Sequence, residues 1–546
     1  MKHPGPPPAR PAFLRLPPFP GHRAAPLAQP GTATSPTDWA ALARILARDR
    51  VGGSFWAARP ALPAGRDVVL APATQAGTAR LIAQAAQEGL TGRAVLLGPF
   101  AAQGTLPVLP DPCDPWHLAR IAALVMAEQG SEQGLVAALA GAPLRMAGQP
   151  APDGPGMLAA ALAGLAFHCP FTGRAIAAAE AVELLADWRR LIDANRPVRA
   201  VLGIAGWKRA ALDPLLWDGT GPVRHAPPLA VSSLRAGDAA LAWKARTSPA
   251  MLSQLAAHGV AVGELEDGFI RSSGLGANCV PPLSVVVDRH GAHFDPAQAS
   301  GLERLLQEGE FSPAMLARAA RLRARLVAAG IGKYGQGAGV VPLPSNGRRR
   351  VLVTGQVEDD RAMLAGGAGC TNRGLLARAR AAEPDAMLIY RPHPDVEAGH
   401  RKGAIAAAEV LRHADAIERD APIAALIDAV DAVHCITSLA GFEALLRGKA
   451  VTTHGVPFYA GWGLTRDLGP VPARRTRRRT LDELVAAALL VYPRYLDPVT
   501  GLPCPAEVLV ERIAAGQARA SSPLVWLRAA QGRVMSGLAA LGVARR

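Results

Sequence analysis

Val351-Leu-Val-Thr-Gly-Gln-Val-Glu-Asp-Asp360 is the stretch from which the architecture can be read. Its first four residues are apolar or β-branched with no polar alternation, which is the pattern of a strand covered on both faces of a parallel sheet. Gly355 ends the strand and an acidic loop follows. In open α/β sheets the loops at the carboxyl ends of strands face the ligand crevice. That places Glu358, Asp359 and Asp360 at the rim of a cleft, with an ordinary exposed acidic loop as the plainer alternative.

The same kind of strand recurs on both sides. Val68-Val-Leu-Ala, Ala94-Val-Leu-Leu, Ala200-Val-Leu-Gly-Ile, Ser284-Val-Val-Val, Ala386-Met-Leu-Ile-Tyr and Ala432-Val-His-Cys-Ile are short, apolar and closed by Gly, Pro, Asp or a polar turn. Helical patterns such as 313–329 and 374–382 lie between them. Alternation of this kind over a long chain means an α/β fold, doubly wound. Residues 114–150 also lie over 421–457 without a gap, matching Ser131 with Ser438, Gly134 with Gly441, Gly141 with Gly448, Gly148 with Gly455 and Pro150 with Pro457. This is read as a duplication. The copies differ: where the second has Thr437 and Glu443, the first has Gly130 and Val136. The expected layout is a disordered Pro-rich tail (1–40), a degenerate half-module (41–190), an N-lobe on the acceptor side (191–345), a C-lobe on the donor side (346–515) and a helical tail (516–546).

Composition narrows the function. Of 546 residues 50% are hydrophobic and 19% charged, so most of the chain folds around a sizeable core. A net charge of +15 reads either as a coding bias that spreads Ala and Arg through the chain or as the mark of an anionic partner: a nucleotide, nucleic acid or an acidic membrane surface. The six cysteines contain no CxxC pair, which excludes a zinc ribbon, argues against a disulfide scaffold and fits a reducing compartment. The apolar runs at 158–167 and 484–491 are too short to cross a bilayer. There is no signal-peptide core near the start, no phosphate-binding Walker loop and no metal-ligand spacing. Aromatic residues do not interleave with the basic run Arg474, Arg475, Arg477, Arg478 and Arg479, so a nucleic-acid platform is set aside; the run reads either as solvated surface or as a contact for an anionic lipid headgroup or membrane.

Four further clusters carry polar chemistry. Glu264-Leu-Glu-Asp-Gly-Phe-Ile-Arg-Ser-Ser-Gly-Leu-Gly276 holds three carboxylates within four residues and then an arginine, which reads either as a turn or as an acid/base pair beside a cationic anchor. In Tyr390-Arg-Pro-His-Pro-Asp-Val396 two prolines hold His393 in an extended turn beside Arg391, a pairing suited to a phosphate. Thr437-Ser438 caps a helix from about Leu439, whose free N–H groups suit a phosphate, while Glu443 one turn in suits a ribose or a plain helix salt bridge. Gly455-Val-Pro-Phe-Tyr-Ala-Gly-Trp-Gly-Leu-Thr465 reads as a loop lining a cleft.

Taken together, Glu266-Asp-Gly-Phe-Ile-Arg-Ser, Pro282-Leu-Ser-Val-Val-Val-Asp288, Gly355-Gln-Val-Glu-Asp-Asp360, Arg391-Pro-His-Pro-Asp-Val396, Thr437-Ser-Leu-Ala-Gly-Phe-Glu-Ala-Leu-Leu446 and Pro457-Phe-Tyr-Ala-Gly-Trp-Gly-Leu-Thr465 resemble the KpsC/LipB-type capsular polysaccharide biosynthesis proteins, which are β-Kdo transferases. The resemblance is strong over about 160–510 and weak over about 60–160. It implies a GT-B-like pair of Rossmann-type lobes, CMP-Kdo as donor and a lipid-linked Kdo chain as acceptor. It also implies a place at the cytoplasmic face of the inner membrane, alongside other capsule synthesis and export proteins. Family members carry two complete modules, and the first module here looks truncated. Transfer with retention needs a carboxylate nucleophile and a second acid/base group. The expected nucleophile is Asp360, with Asp359 as the alternative, and the expected acid/base is Glu266 or Asp267. Gln356, Arg391, His393, Thr437, Ser438 and Glu443 are expected on the donor, and Arg271, Tyr459 and Trp462 on the acceptor. No metal or cofactor is expected, because CMP leaves readily once its charge is held. A non-catalytic scaffold for capsule assembly or export and a different nucleotide-sugar enzyme of similar fold, such as an epimerase, are the competing readings.

Overall fold

Apolar strands without a polar face need helices on both sides, and the computed structural model arranges them in two compact units. The structure describes residues 12–518, apart from 33–36, 99–105, 148–152, 227–232, 273–278, 334, 337–338, 340, 344–346, 398 and 400. The expected tail at 516–546 therefore lies almost wholly outside the described residues, as do Gly148 and Pro150 of the repeat.

The first unit comprises Met1–Pro197, Leu216–Val223 and Thr500–Leu502. Its main sheet has five parallel strands in the order Val108–Leu109, Ala94–Leu97, Val68–Ala71, Leu124–Ala127, Leu144–Met146. Val69 and Val125 pack on one face, and Val68, Leu70 and Leu81 on the other. From residue 12 to residue 32 the Pro-rich beginning corrects the expectation of a disordered tail, while the rest of that stretch up to 36 lies outside the described residues. Phe13, Leu14, Phe19 and Leu27 are buried, and Phe19 meets Trp188 and Trp217 edge-on at 5.7 and 5.1 Å. Prolines restrict the chain before folding, so a few large apolar side chains suffice to hold it down.

The second unit comprises Val198–Leu215, Arg224–Val499 and Pro503–Arg546 and carries two six-stranded sheets, besides a two-stranded ribbon of Ile331–Gly332 and Gly335–Gln336. The N-lobe sheet runs Pro503–Cys504, Pro493–Leu496, Ser284–Asp288, Ala261–Asp267, Ala239–Ala242, Val198–Leu202. The last three of these are mutually parallel and the others antiparallel. The C-lobe sheet runs Ala416–Ile417, Met387–Arg391, Arg350–Thr354, Ala432–Cys435, Ala450–Thr453, Arg466–Asp467 and is wholly parallel, in the 3-2-1-4-5-6 order of a dinucleotide-type fold. The expected C-lobe end at 515 needs correction. Pro493–Leu496 and Pro503–Cys504 return to complete the N-lobe sheet, because Ser284–Asp288 would otherwise leave an unpaired edge. The helix Ala506–Ala514 follows them and packs on Pro313–Ala328 of the N-lobe side, with Arg318 and Glu507 paired at 2.6 Å.

The two stretches of the repeat fold alike. The first unit's sheet has the 3-2-1-4-5 order of the C-lobe without its sixth strand. Glu132–Leu139 and Leu439–Leu446 correspond residue for residue; Ser131 and Ser438 cap them, and Gly141 and Gly448 follow at φ 65° and 70°. Gly134 and Gly441 let these helices approach the preceding strand, since a Cβ would stand 2.8 Å from the Ala127 Cβ in one copy and from the Cys435 sulfur in the other.

Candidate active site

Three strand ends of the C-lobe converge on one site within the second unit. Gln356, just past Arg350–Thr354, ties two of them together: its side-chain oxygen accepts from the Thr437 N–H at 2.8 Å, and its amide donates to the Thr437 hydroxyl at 3.0 Å. Both side chains therefore build the loop. Glu358 accepts from the Asn372 N–H at 2.7 Å and is likewise structural. Asp359 is paired with Arg401 at 3.2 Å. Asp360 is exposed and caps the helix Arg361–Gly366, accepting from the Ala362 N–H at 3.3 Å.

Arg361, the next residue, reaches the N-lobe. Its guanidinium donates to Glu264 at 2.7 Å and to Glu266 at 3.3 Å and lies over the Phe294 ring at 4.9 Å. Glu264 is fully buried and also meets Lys244 at 3.1 Å, so it belongs to the scaffold. Glu266 keeps 20% of its side chain exposed. Burial, joined by the neighbouring Asp267 charge, pushes its carboxyl up to about 7, against the pull of Arg361 and Lys333. Asp267 is held by Arg271 at 2.7 Å, which leaves Glu266 as the adaptable carboxyl of the pair.

His393 follows the strand Met387–Arg391 and is half-buried. Its Nδ1 accepts from the Asp395 N–H at 3.2 Å, so the neutral ring presents Nε2–H outward. Burial lowers its pKa, while Asp395 and Asp360 oppose that shift. Glu443 is buried in the helix Leu439–Leu446. One of its oxygens accepts from the Lys333 N–H at 2.9 Å, and the other has no hydrogen-bond partner among the described residues. Burial raises its pKa too. Gly332 is tightly placed here, since a Cβ would stand 2.8 Å from the Glu443 carboxylate. Ser438 caps the same helix through the Ala440 N–H at 3.2 Å. The Lys333 ammonium acts on Glu266, His293, His393 and Glu443 alike, which puts one cation among the acid, the imidazole and the orphan carboxylate.

Several expectations are corrected by packing. Arg391 turns its guanidinium to the Glu418 and Arg419 carbonyls and braces that loop. Arg271 is 1% exposed and bonds Asp267, Ser272 and the Val280 carbonyl, so no acceptor reaches it. Tyr459 and Trp462 are fully buried, donating to the Ser438 and Phe458 carbonyls. The first part of their loop is core, with Phe458 and Tyr459 packed on Phe442 and Gly455 letting backbone approach the Gly366 carbonyl, while Gly461 and Gly463 face the side chains of Val471, Arg475 and Arg478. The arginine run is engaged largely within the protein, although Arg474 and Arg478 remain exposed. Arg475 and Arg479 are buried, Arg474 and Arg475 pair with Glu303, Arg477 pairs with Glu310, and Arg479 donates to the Leu306 and Gly309 carbonyls. Sequence reasoning missed Arg361 and Lys333. Arg361 stood next to a chosen residue, whereas Lys333 has no local signature. Among the described residues no group of three His, Cys, Asp or Glu is placed to hold a metal, and no helix is long and apolar enough to cross a membrane.

The second unit is a two-lobed α/β body with carboxyl groups, an imidazole and a lysine at its strand ends, and the comparisons give its family. The chain belongs to the capsule polysaccharide biosynthesis family, whose model matches residues 238–336 and 336–495. It is similar to the capsule polysaccharide modification protein LipA of Neisseria meningitidis serogroup A, 39% identical over 335 residues, 61% of this chain and 47% of that protein. It is 49% identical over 236 residues to the lipopolysaccharide-processing protein LpsZ of Rhizobium meliloti, covering 42% of this chain and 53% of that one. The chain thus spans about half the length of these relatives. Among solved structures, the β Kdo 2,4 transferase of Thermosulfurimonas dismutans KpsC matches with a TM-score of 0.51 and 32% identity, over 58% of this chain and 98% of that one.

Proposed function

We propose that this chain is a glycosyltransferase that moves Kdo from CMP-Kdo, with retention, onto a lipid-linked β-Kdo acceptor in capsular polysaccharide biosynthesis. The observation that carries the reading is the near-complete coverage of the solved β Kdo 2,4 transferase, together with Glu266 bonded to Arg361, the residue that follows Asp360. In this reading Asp360 attacks the anomeric carbon of Kdo, the bond to the phosphate oxygen breaks, and CMP departs with that electron pair. Glu266, close to half-ionised at neutral pH, then takes the proton of the acceptor hydroxyl as its oxygen displaces Asp360. Two inversions leave the configuration retained. Lys333 and His393 Nε2–H meet the CMP phosphate with the capped helix end at Ser438, and the unpartnered Glu443 oxygen accepts a ribose hydroxyl. Asp359 falls behind Asp360 because Arg401 already holds it. No metal or cofactor takes part. The acceptor's lipid places the protein peripherally at the cytoplasmic face of the inner membrane, beside other capsule synthesis and export proteins.

The test is to incubate the purified chain with CMP-Kdo and a synthetic Kdo-lipid, measure CMP release and determine the linkage formed. Release coupled to extension supports transfer. A scaffold releases no CMP, and an enzyme that consumes a different nucleotide sugar without any acceptor would return the site to the epimerase reading. Mass analysis of Glu266→Gln with CMP-Kdo alone tests the first step, since a Kdo adduct should accumulate on Asp360.

A further inference from the structure

Lys208 takes no part in the transfer chemistry, yet its surroundings are unusual. It lies in the helix Gly206–Leu216, which follows the strand Val198–Leu202 at the same end of the N-lobe sheet as Glu266. Its side chain is 8% exposed. The ammonium stands 3.2 Å from the centroid of the Trp243 ring and 5.3 Å from that of Trp207. The nearest carboxylate is Asp267, whose Oδ1 is 3.8 Å away, too far for a hydrogen bond. That oxygen has no hydrogen-bond partner among the described residues either. Buried ammonium groups are costly unless their protons are matched to acceptors. Among the described residues the ammonium faces two rings and one oxygen at 3.8 Å. Burial lowers the Lys208 pKa to about 8, with Asp267 and Glu266 opposing the shift and Arg271 and Arg246 adding to it.

We propose that Lys208, between Trp207 and Trp243, is the subsite for the carboxylate of an incoming sugar acid on the acceptor side of the cleft. The proposal rests on the transferase reading for the identity of that acid. The chemistry favours a carboxylate over a phosphate. One ammonium balances one negative charge, and a phosphate dianion would meet the Asp267 and Glu266 charges at close range. Half-buried Trp207 offers a ring face to the apolar side of a sugar, while Trp243 is buried behind the cation. An anion bound here would bring the acceptor hydroxyl toward Glu266, two strands away in the same sheet.

The experiment compares free Kdo with its methyl ester by calorimetric titration of the full chain saturated with CMP. The acid should bind wild type about tenfold or more tightly than the ester, as expected for one charge-assisted hydrogen bond to a buried group. Lys208→Met, similar in volume, should remove that preference. Acid and ester binding alike to wild type would overturn the proposal, and this comparison needs no variant to fold. A preference that survives in Lys208→Met would overturn it as well. In the transfer assay the variant should raise acceptor KM about tenfold while kcat and the KM for CMP-Kdo hold. A fall in kcat with a displaced pH profile would instead assign Lys208 to positioning Asp267, against the proposal. If wild type distinguishes acid from ester but transfers nothing, the transferase reading fails and the carboxylate site stands.

Discussion

Replacing Glu266 by Gln separates what the site needs from what the fold needs. In the folded protein the carboxyl is raised from 4.5 to about 7 by burial and by Asp267. The native state therefore holds this proton more tightly than the unfolded chain does. Stability associated with the protonated carboxyl is fully present below about pH 4.5 and declines as pH rises to about 7. At about 1.4 kcal/mol per unit, ionising Glu266 costs the native state up to about 3 kcal/mol at pH 8. Gln keeps the shape and removes the charge. Glu266→Gln should consequently melt with wild type near pH 4.5 and several degrees higher at pH 8, on the order of 5 °C for a domain of this size. The same variant should lose transfer at both pH values. Thermal melts of both proteins across pH 4.5–8, followed by tryptophan fluorescence and paired with CMP-release assays, check this. A two-unit chain need not unfold in one step, so the pH dependence of the difference is the quantity to read. A constant offset between the proteins, or a variant less stable at pH 8, would refute the argument that the fold holds this carboxyl at a cost.

Asp360→Asn should reduce transfer by about a thousandfold or more while CMP binding, read by calorimetry, stays within about twofold; retained turnover would move the nucleophile elsewhere. Glu443→Gln should raise the KM for CMP-Kdo by about tenfold with a smaller change in kcat, because the orphan oxygen becomes an amide. Arg475→Met should destabilise the second unit by about 1–3 kcal/mol, since it leaves the buried Glu303 to Arg474 alone and takes a guanidinium donor from the Pro457 and Ala460 carbonyls. Its binding to anionic vesicles should match wild type, and a loss of vesicle binding in a folded variant would restore the basic run as a membrane contact.

Local patterns made much of this readable. The strand at 350–354, the acidic loop after it and the capped helix Leu439–Leu446 are each encoded within ten residues or so, and the structure has them where periodicity and capping place them. The repeat was legible for the same reason, because caps and positive-φ glycines leave a mark in sequence. What depends on distant partners was not legible. The arginine run looks like a surface charge cluster until Glu303 and Glu310 come alongside it, more than a hundred residues earlier in the chain. Tyr459 and Trp462 sit in a glycine-rich loop that resembles a ligand cradle, but the glycines serve close packing. Lys333 and Lys208 are single lysines without motif or spacing, and only the fold brings them to the carboxylates. The Pro-rich start shows how composition misleads: prolines marked it as a disordered tail, while Phe13, Leu14, Phe19 and Leu27 anchor its described part.

The return of Pro493–Leu496 and Pro503–Cys504 to the N-lobe sheet has a consequence for biosynthesis. A chain emerging from the ribosome exposes Ser284–Asp288 roughly two hundred residues before its neighbouring strand arrives. Through that interval the N-lobe presents an open β edge, the kind of surface that recruits other chains. The C-lobe, whose strands all come from one continuous stretch, can close meanwhile. Vectorial folding therefore runs out of spatial order, with the first lobe to be translated the last to be sealed. Chains stopped short of residue 493 should be held by chaperones or degraded rather than accumulate as half-enzymes.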